Sequence, residues 1–316
     1  MKQYLSLLLF CTFLITSLVV KNLTLFHPLQ KISEFSQNEE IAKKLRGPAI
    51  ASLVTNDEND IIDLCTALNS LKNLPDNSSA PALIFNEDNL FPSQIELLRN
   101  CTPRELFFPL VNFSIFPRGF DPNNSTSNWS RRSKWGYHQM INFWISNIWE
   151  HVAITPYDTI MRIDSDSCWS QRVQMDGPRR YLPGLPQGKV YYANQLMYDE
   201  PFVTERFFEF TRDYIANNNL TVMNPDLLQT HRNLDNLTRI TYNNFEVASV
   251  DFMLRPEVRK WHDQITNKAP FYVYKYRWGD AIERFATMAI FMAPSEVAGD
   301  MGIIPEYRHS TVCEIN

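Results

Sequence analysis

Two carboxylates, Asp164 and Asp166, stand one residue apart at the end of the apolar run Thr159-Ile-Met-Arg-Ile163. The run reads as a short buried strand, and alternate positions of an extended segment point the same way. Oxygen ligands paired in this manner suit a hard divalent cation, and strand ends of open α/β sheets are where ligands bind. A cation held there can grip a nucleotide diphosphate, which suggests transfer from a nucleotide-sugar donor. Alone, Asp-Ser-Asp is also an ordinary solvated turn, so its weight depends on the rest of the chain.

Further residues could take part. Glu246 sits in Asn243-Asn-Phe-Glu-Val-Ala248, between apolar neighbours, as an acting carboxylate or one half of a buried ion pair. Asp280 follows Gly279 at the start of an apolar helix running to Met292, where it either caps the helix or acts on sugar or acceptor. Arg162 has two readings, a pair with Asp164 or a contact to a diphosphate. Tyr137 and Trp278 either pack or flank the reaction centre. His309 is a third metal ligand or a tail histidine.

The elements that position these groups alternate. Ala49–Val54 reads as a strand, and Ile61, Ile62, Leu64, Cys65, Leu68 and Leu71 follow at helical spacing. Pro81–Phe85 is a second strand, followed by a helix around Ser93–Arg99 and a strand around Glu105–Leu110. Residues 116–133 form a Pro-, Asn- and Ser-rich surface loop, and Trp135–His151 a helix with Met140, Phe143, Trp144 and Ile148 on its apolar face. Strand-like Lys189–Ala193 and helical Glu205–Ile215 come after the Asp-Ser-Asp strand. Strands alternating with helices predict an α/β fold with a mainly parallel, Rossmann-like sheet and helices on both faces.

Composition narrows the classes. The 316 residues are 44% hydrophobic and 21% charged, an ordinary globular balance. A net charge of −5 excludes a basic surplus for nucleic acid. Residues 4–20 carry no charge and lie between Lys2 and Lys21. They read as an uncleaved signal-anchor helix, with residues 1–3 as cytosolic tail, in preference to a cleaved signal peptide. Residues 21–46 read as a polar stem, and residues 47–316 as the luminal domain. Asn-x-Ser/Thr acceptors begin at Asn22, Asn77, Asn100, Asn112, Asn123, Asn124, Asn128, Asn219 and Asn236, against roughly three expected by chance. Cys65, Cys101, Cys168 and Cys313 form an even set for an oxidising compartment. A Cys313–Cys168 disulfide would tie down the tail, and a Cys65–Cys101 pair is the alternative.

Several segments together resemble the fungal family of Golgi α-1,2-mannosyltransferases that extend mannan and O-linked chains. Tyr242-Asn-Asn-Phe-Glu-Val247 is similar to that family's Trp-Ser-Asn-Phe-Glu-Ile, and Arg277-Trp-Gly-Asp-Ala281 matches its counterpart identically. Tyr137-His-Gln-Met140 matches a Tyr-x-x-Met helix start, and Arg162-Ile-Asp-Ser-Asp166 stands where the family has Arg-Val-Glu-Pro-Asp. Tyr307-Arg-His309 with Cys313 resembles a Tyr-His-His segment followed by a Cys. The order holds from about residue 48 to the end. Departures are the shorter Asp164, Cys168 out of register, and Ile141 in place of a helix cysteine.

The resemblance implies a GT-A-like fold, Mn²⁺, GDP-mannose as donor, a glycan or glycoprotein acceptor, retention of configuration, and a Golgi type II membrane setting. It implies Asp164 and His309 as direct metal ligands, with Asp166 on the metal through water or on the sugar. Glu246 takes the place of the candidate nucleophile, with Asp280 and Tyr137 beside it, and Arg162, Asp166, Arg277 and Trp278 are the donor-binding set. A catalytically silent lectin-like or scaffold protein of the secretory pathway is the alternative. A glycoside hydrolase would share paired carboxylates but has no need of the metal motif.

Overall fold

The structure, a computed structural model, describes residues 47–75, 80–127, 135–233, 237–299, 301 and 303–310. The expected anchor at 4–20, the stem at 21–46, Cys11 and Cys313 lie outside the described residues. Among those described, no helix is long and apolar enough to cross a membrane.

Among the described residues there are ten strands: β1 (Pro48–Leu53), β2 (Ala82–Phe85), β3 (Leu106–Phe107), β4 (Thr159–Ile163), β5 (Ser167–Trp169), β6 (Tyr191–Ala193), β7 (Leu196–Asp199), β8 (Thr238–Thr241), β9 (Phe245–Ser249) and β10 (Tyr307–His309). The longer helices are α1 (Glu58–Ser70), α2 (Pro92–Asn100), α3 (Gly136–Asn142), α4 (Phe207–Asn217), α5 (Pro256–Thr266) and α6 (Asp280–Phe291). Six strands form the central sheet in the order β3-β2-β1-β4-β9-β6. β3, β2, β1 and β4 pair in parallel, and β9 runs antiparallel to both β4 and β6. The expected mainly parallel α/β sheet is present, with one reversed strand, β9, inserted beside β4.

Period-two alternation sorts the sheet's side chains between two cores. Ile50, Met161, Ile163, Phe245 and Val247 pack with Ile61, Leu64 and Leu68 of α1. Ala49, Ala51, Ile160 and Ala248 pack on the other side with Phe143, Trp144 and Phe285. Asp57 opens α1 by accepting from the Asn59 amide at 2.9 Å, and acidic Glu58 and Asp60 suit its positive end. Ile62, read from the sequence as part of the apolar stripe, is instead on the outer face and 55% exposed. A Cys65–Cys101 disulfide joins α1 to the end of α2. Cys168 is also disulfide-bonded.

The expected helix at 135–151 has a finer structure. α3 gives way at Phe143–Asn147 to a π-helical turn and resumes over Ile148–Glu150. Such wide turns often mark functional sites. Here Trp144 lies under the Arg162 guanidinium, 4.2 Å from ring centre to its carbon, while the Trp144 carbonyl accepts from Arg284.

Candidate active site

β4 carries Arg162 on the same sheet face as Ile160, and the chain then leaves the sheet at Asp164. Opposite, Glu246 of β9 is in register with Arg162. The turn between β8 and β9 supplies the Asn244 carbonyl, which accepts from the Asp164 amide at 3.1 Å. β10 pairs antiparallel with β5, setting His309 opposite Ser167. The Tyr307 hydroxyl donates to the Asn244 carbonyl at 2.9 Å, tying the final strand to the same turn. Residues nearly 150 positions apart in the chain are thus fixed around one strand end.

Asp164, Asp166 and His309 each offer a ligand atom within 4.8 Å of the other two. His309 Nε2 is 3.2 Å from Asp166 and 3.7 Å from Asp164. Its other ring nitrogen is 2.8 Å from the Tyr242 hydroxyl. That contact fixes the ring and leaves Nε2 directed at the carboxylates, the usual arrangement around a metal-bound histidine. Two carboxylates and one imidazole form a donor set that fits Mn²⁺. Ser310 donates to Asp166 through its hydroxyl at 2.8 Å and its backbone amide at 3.1 Å, the latter to the backbone carbonyl.

The electrostatics separate the two aspartates. Burial pushes the Asp164 carboxyl up, opposed by the Arg162 guanidinium. Hydrogen bonding from His309 holds Asp166 below the usual carboxylate range, against its own partial burial. Burial alone would lower Arg162, but Asp164, Asp280 and Glu246 outweigh it and keep the guanidinium charged.

Arg162 is buried and bridges two carboxylates. Its Nε and one terminal nitrogen each lie 3.0 Å from Asp164, and the other terminal nitrogen pairs with Asp280. Of its two sequence readings, the pair with Asp164 is therefore present, and its guanidinium donors face carboxylates. Asp280 is the first residue of α6, while Gly279 is the cap and no side-chain capping bond is made. The Asp280 carboxylate accepts instead from Arg162 and from Asn243 Nδ2 at 2.9 Å, so the capping reading is replaced by membership of this cluster.

Glu246 is enclosed, only 1% exposed. Tyr191 donates to it at 2.8 Å, and Arg284 Nε lies 3.2 Å away. Arg284 also pairs with Glu283 at 2.6 Å, and Glu283 accepts from the Trp261 indole at 2.8 Å. Burial raises the Glu246 carboxyl and Arg284 opposes that rise, whereas His262 and Arg284 overcome burial to hold Glu283 down at about 2. Sequence reading passed over this inner chain, although Glu283-Arg284 inside an apolar helix was a usable signal. The Arg277 guanidinium lies over the Tyr137 ring at 5.4 Å. Trp278 is buried among aromatic rings, its indole nitrogen donating to the Glu205 carbonyl at 2.7 Å.

The chain matches the glycolipid 2-alpha-mannosyltransferase family over residues 122–312, more than half its length. It is 26% identical over 271 residues to O-glycoside alpha-1,2-mannosyltransferase homolog 2 of Schizosaccharomyces pombe, covering 79% of this chain and 69% of that one. The chain spans 69%, 63% and 44% of the lengths of three curated relatives. The fold is similar to core-mannan synthase A (CmsA/Ktr4) from Aspergillus fumigatus, solved in an Mn/GDP form. The TM-score is 0.69 at 18% identity, over 85% of this chain and 76% of that one. The mannosyltransferase Ktr4p from Saccharomyces cerevisiae gives a TM-score of 0.67 at 22% identity, over 85% and 72%. Likeness at these identities bears on the fold, which is GT-A-like.

Proposed function

Because the chain belongs to the glycolipid 2-alpha-mannosyltransferase family, and is by that membership a hexosyltransferase, we propose that it transfers mannose from GDP-mannose to a glycan hydroxyl. The proposed linkage is α-1,2, formed with retention and dependent on Mn²⁺. The observation that carries this reading is the Asp164–Asp166–His309 cluster, with Tyr242 fixing the histidine. The relative solved in an Mn/GDP form supports the same metal and nucleotide here.

When bound, the cation supplies positive charge to the diphosphate as the glycosidic bond breaks. The chain's own residues do the rest. Asp164, Asp166 and His309 present their ligand atoms together, and Ser310 and Tyr242 hold two of them in place. Arg162 draws Asp164 and Asp280 together, its guanidinium lying over the Trp144 ring. Four carboxylates, Asp164, Asp280, Glu246 and Glu283, face two guanidiniums, Arg162 and Arg284. A region with this negative surplus stabilises positive charge on a reacting sugar. We assign that role to Glu246 and Asp280, with Tyr137 beside them and Arg277, held over the Tyr137 ring, toward the donor. The sequence signals at 4–20 and the many glycosylation acceptors support a Golgi membrane setting.

The test is incubation of the purified full chain with a panel of nucleotide-sugars and a mannoside acceptor, with Mn²⁺ or with EDTA. Turnover of GDP-mannose that needs Mn²⁺, and an α-configured product by NMR, is the expected result. Full activity in EDTA, another preferred donor, or a β-configured product overturns the corresponding part.

A further inference from the structure

We propose that a second groove, formed by α4, α5 and the helical turn Tyr272–Lys275, binds the part of a neutral oligosaccharide acceptor remote from the reacting hydroxyl. The cavity holds about 710 Å³ and is lined by Arg206, Phe210, Asn217, Gln264, Tyr272 and Trp278, among others. The proposal rests on the reading of the chain as a glycan-extending transferase.

The lining has the composition of a sugar site. Trp278, Tyr272 and Tyr276 form a near-parallel group of rings, Trp278 lying 4.8 Å from Tyr272 and 5.0 Å from Tyr276 at interplanar angles of 20° and 15°. Phe210 packs against both Tyr272 and Trp278 at 4.8 and 5.1 Å. Trp278 is the buried floor, while Phe210 and Tyr272 remain partly exposed. Rigid amphipathic rings offer contact area at little cost in side-chain freedom, and the apolar face of a pyranose suits them. Amides at Asn217 and Gln264 provide both donors and acceptors, which sugar hydroxyls require.

Charge argues for a neutral ligand. The lining carries both cations (Arg206, Lys260, Lys275) and carboxylates (Glu209, Asp213), and most already have partners. Lys260 donates to Asn218 at 2.8 Å, Lys275 lies over the Tyr276 ring, Glu209 pairs with Arg232 and Asp213 with Arg212. A polyanion would meet Glu209 and Asp213 as well as the cations.

Backbone conformation gives an independent sign that the walls are specified. Among the described residues, five other than glycine have positive φ; one, Arg206 at 61°, lines this groove, and Phe271 at 57° stands in the chain between the lining residues Pro270 and Tyr272. Bulky residues persist there only where the surroundings impose it, and such positions gather at ligand sites. The groove also adjoins the catalytic segment in sequence, since Trp278 stands two residues before Asp280. The segment 278–280 thus links the groove's floor to the carboxylate cluster through Asp280.

The experiment is titration of the purified full chain with methyl α-mannoside and with linear mannotetraose, by calorimetry without donor, followed by transfer kinetics on both. The wild-type chain is expected to bind the tetraose more tightly. Tyr272→Ala and Gln264→Ala should each reduce that advantage roughly five- to tenfold, the scale of one aromatic or polar contact. The KM and kcat for methyl α-mannoside should stay unchanged. Should Tyr272→Ala melt early, Gln264→Ala decides alone. Equal affinity for the two sugars, or a tetraose advantage intact in both variants, overturns the groove. If no donor is turned over, the proposed function fails, yet the donor-free titration still decides the groove.

Discussion

His309 reaches the carboxylate pair from the last described strand, and its usefulness there depends on which ring nitrogen carries the proton. With Nδ1 protonated and donating to Tyr242, Nε2 keeps its lone pair for a cation. Tyr242→Phe removes that acceptor without changing ring size. Mn²⁺ affinity should fall roughly 10- to 100-fold, the usual effect of losing such an outer partner, while the fold is kept. Calorimetric Mn²⁺ titration in the presence of GDP measures this, and an unchanged affinity would show that His309 orients itself or does not ligate. Glu246 poses a different question, because it is enclosed by Tyr191 and Arg284. Glu246→Gln retains the shape and one acceptor but deletes the charge. If that charge stabilises the reacting sugar, kcat should fall about 100-fold or more with little change in donor KM, the pattern of an interaction made in the transition state. Near wild-type turnover would make Glu246 structural and Asp280 the next carboxylate to replace. From sequence, the individual groups were visible and their partners were not. Asp164 and Asp166 stood out by type and spacing and His309 through the family resemblance, but nothing local shows that Asp280 meets Arg162 or that Arg284 meets Glu246.

At the scale of elements, the same limit has a physical cause. Strands β1, β2 and β4 were legible because buried parallel strands are continuous apolar runs bounded by polar turns. Helix α6 was legible as an apolar segment after Gly279, yet its interior pair Glu283-Arg284 went unread. In the fold it is the anchor of the helix on the sheet. Arg284 reaches Glu246 on β9 and the Trp144 carbonyl exposed at the π turn, while Glu283 reaches Trp261 on α5. That π turn left no sequence signal, since Phe143 to Asn147 keep an apolar pattern whether wound at four or five residues. Replacing Arg284 by Met keeps much of the volume and leaves two carboxylates in the interior with one guanidinium fewer. Breaking a buried pair from one side costs about 3–5 kcal/mol, so Arg284→Met should unfold at markedly lower urea. The double variant Arg284→Met with Glu246→Gln should recover part of the loss. A single variant as stable as the parent would mean that water or a shift of protonation relieves the carboxylates without the arginine.

For the whole molecule, stability against acid is set by groups that the fold keeps uncharged as well as by its ion pairs. His231 is fully buried among Phe207, Phe208 and Phe285, and neither ring nitrogen has a hydrogen-bond partner among the described residues. Burial first, and Arg232 second, lower its pKa from 6.5 to about 4. The unfolded chain takes a proton there below about pH 6.5, and the folded chain does not until about pH 4. More protons are bound by the unfolded state in that window, so this histidine's contribution lowers stability as pH falls through it and levels off below. At pH 4.5 the loss relative to neutral pH is about 2–3 kcal/mol. Glu283, held near 2, acts in the same sense but lower down: its stabilisation is present above about 4.5 and is lost as pH falls toward 2. The two groups therefore separate on the pH axis. His231→Phe fits the aromatic surroundings and cannot be protonated. Urea unfolding of parent and variant at pH 7 and pH 4.5 should show the parent losing the larger amount, by about that difference. His151, also lowered by burial, is common to both chains and cancels. An identical acid loss in the two would shift the origin to His151, whose ring lies edge-on to Phe85 and is the group to replace next.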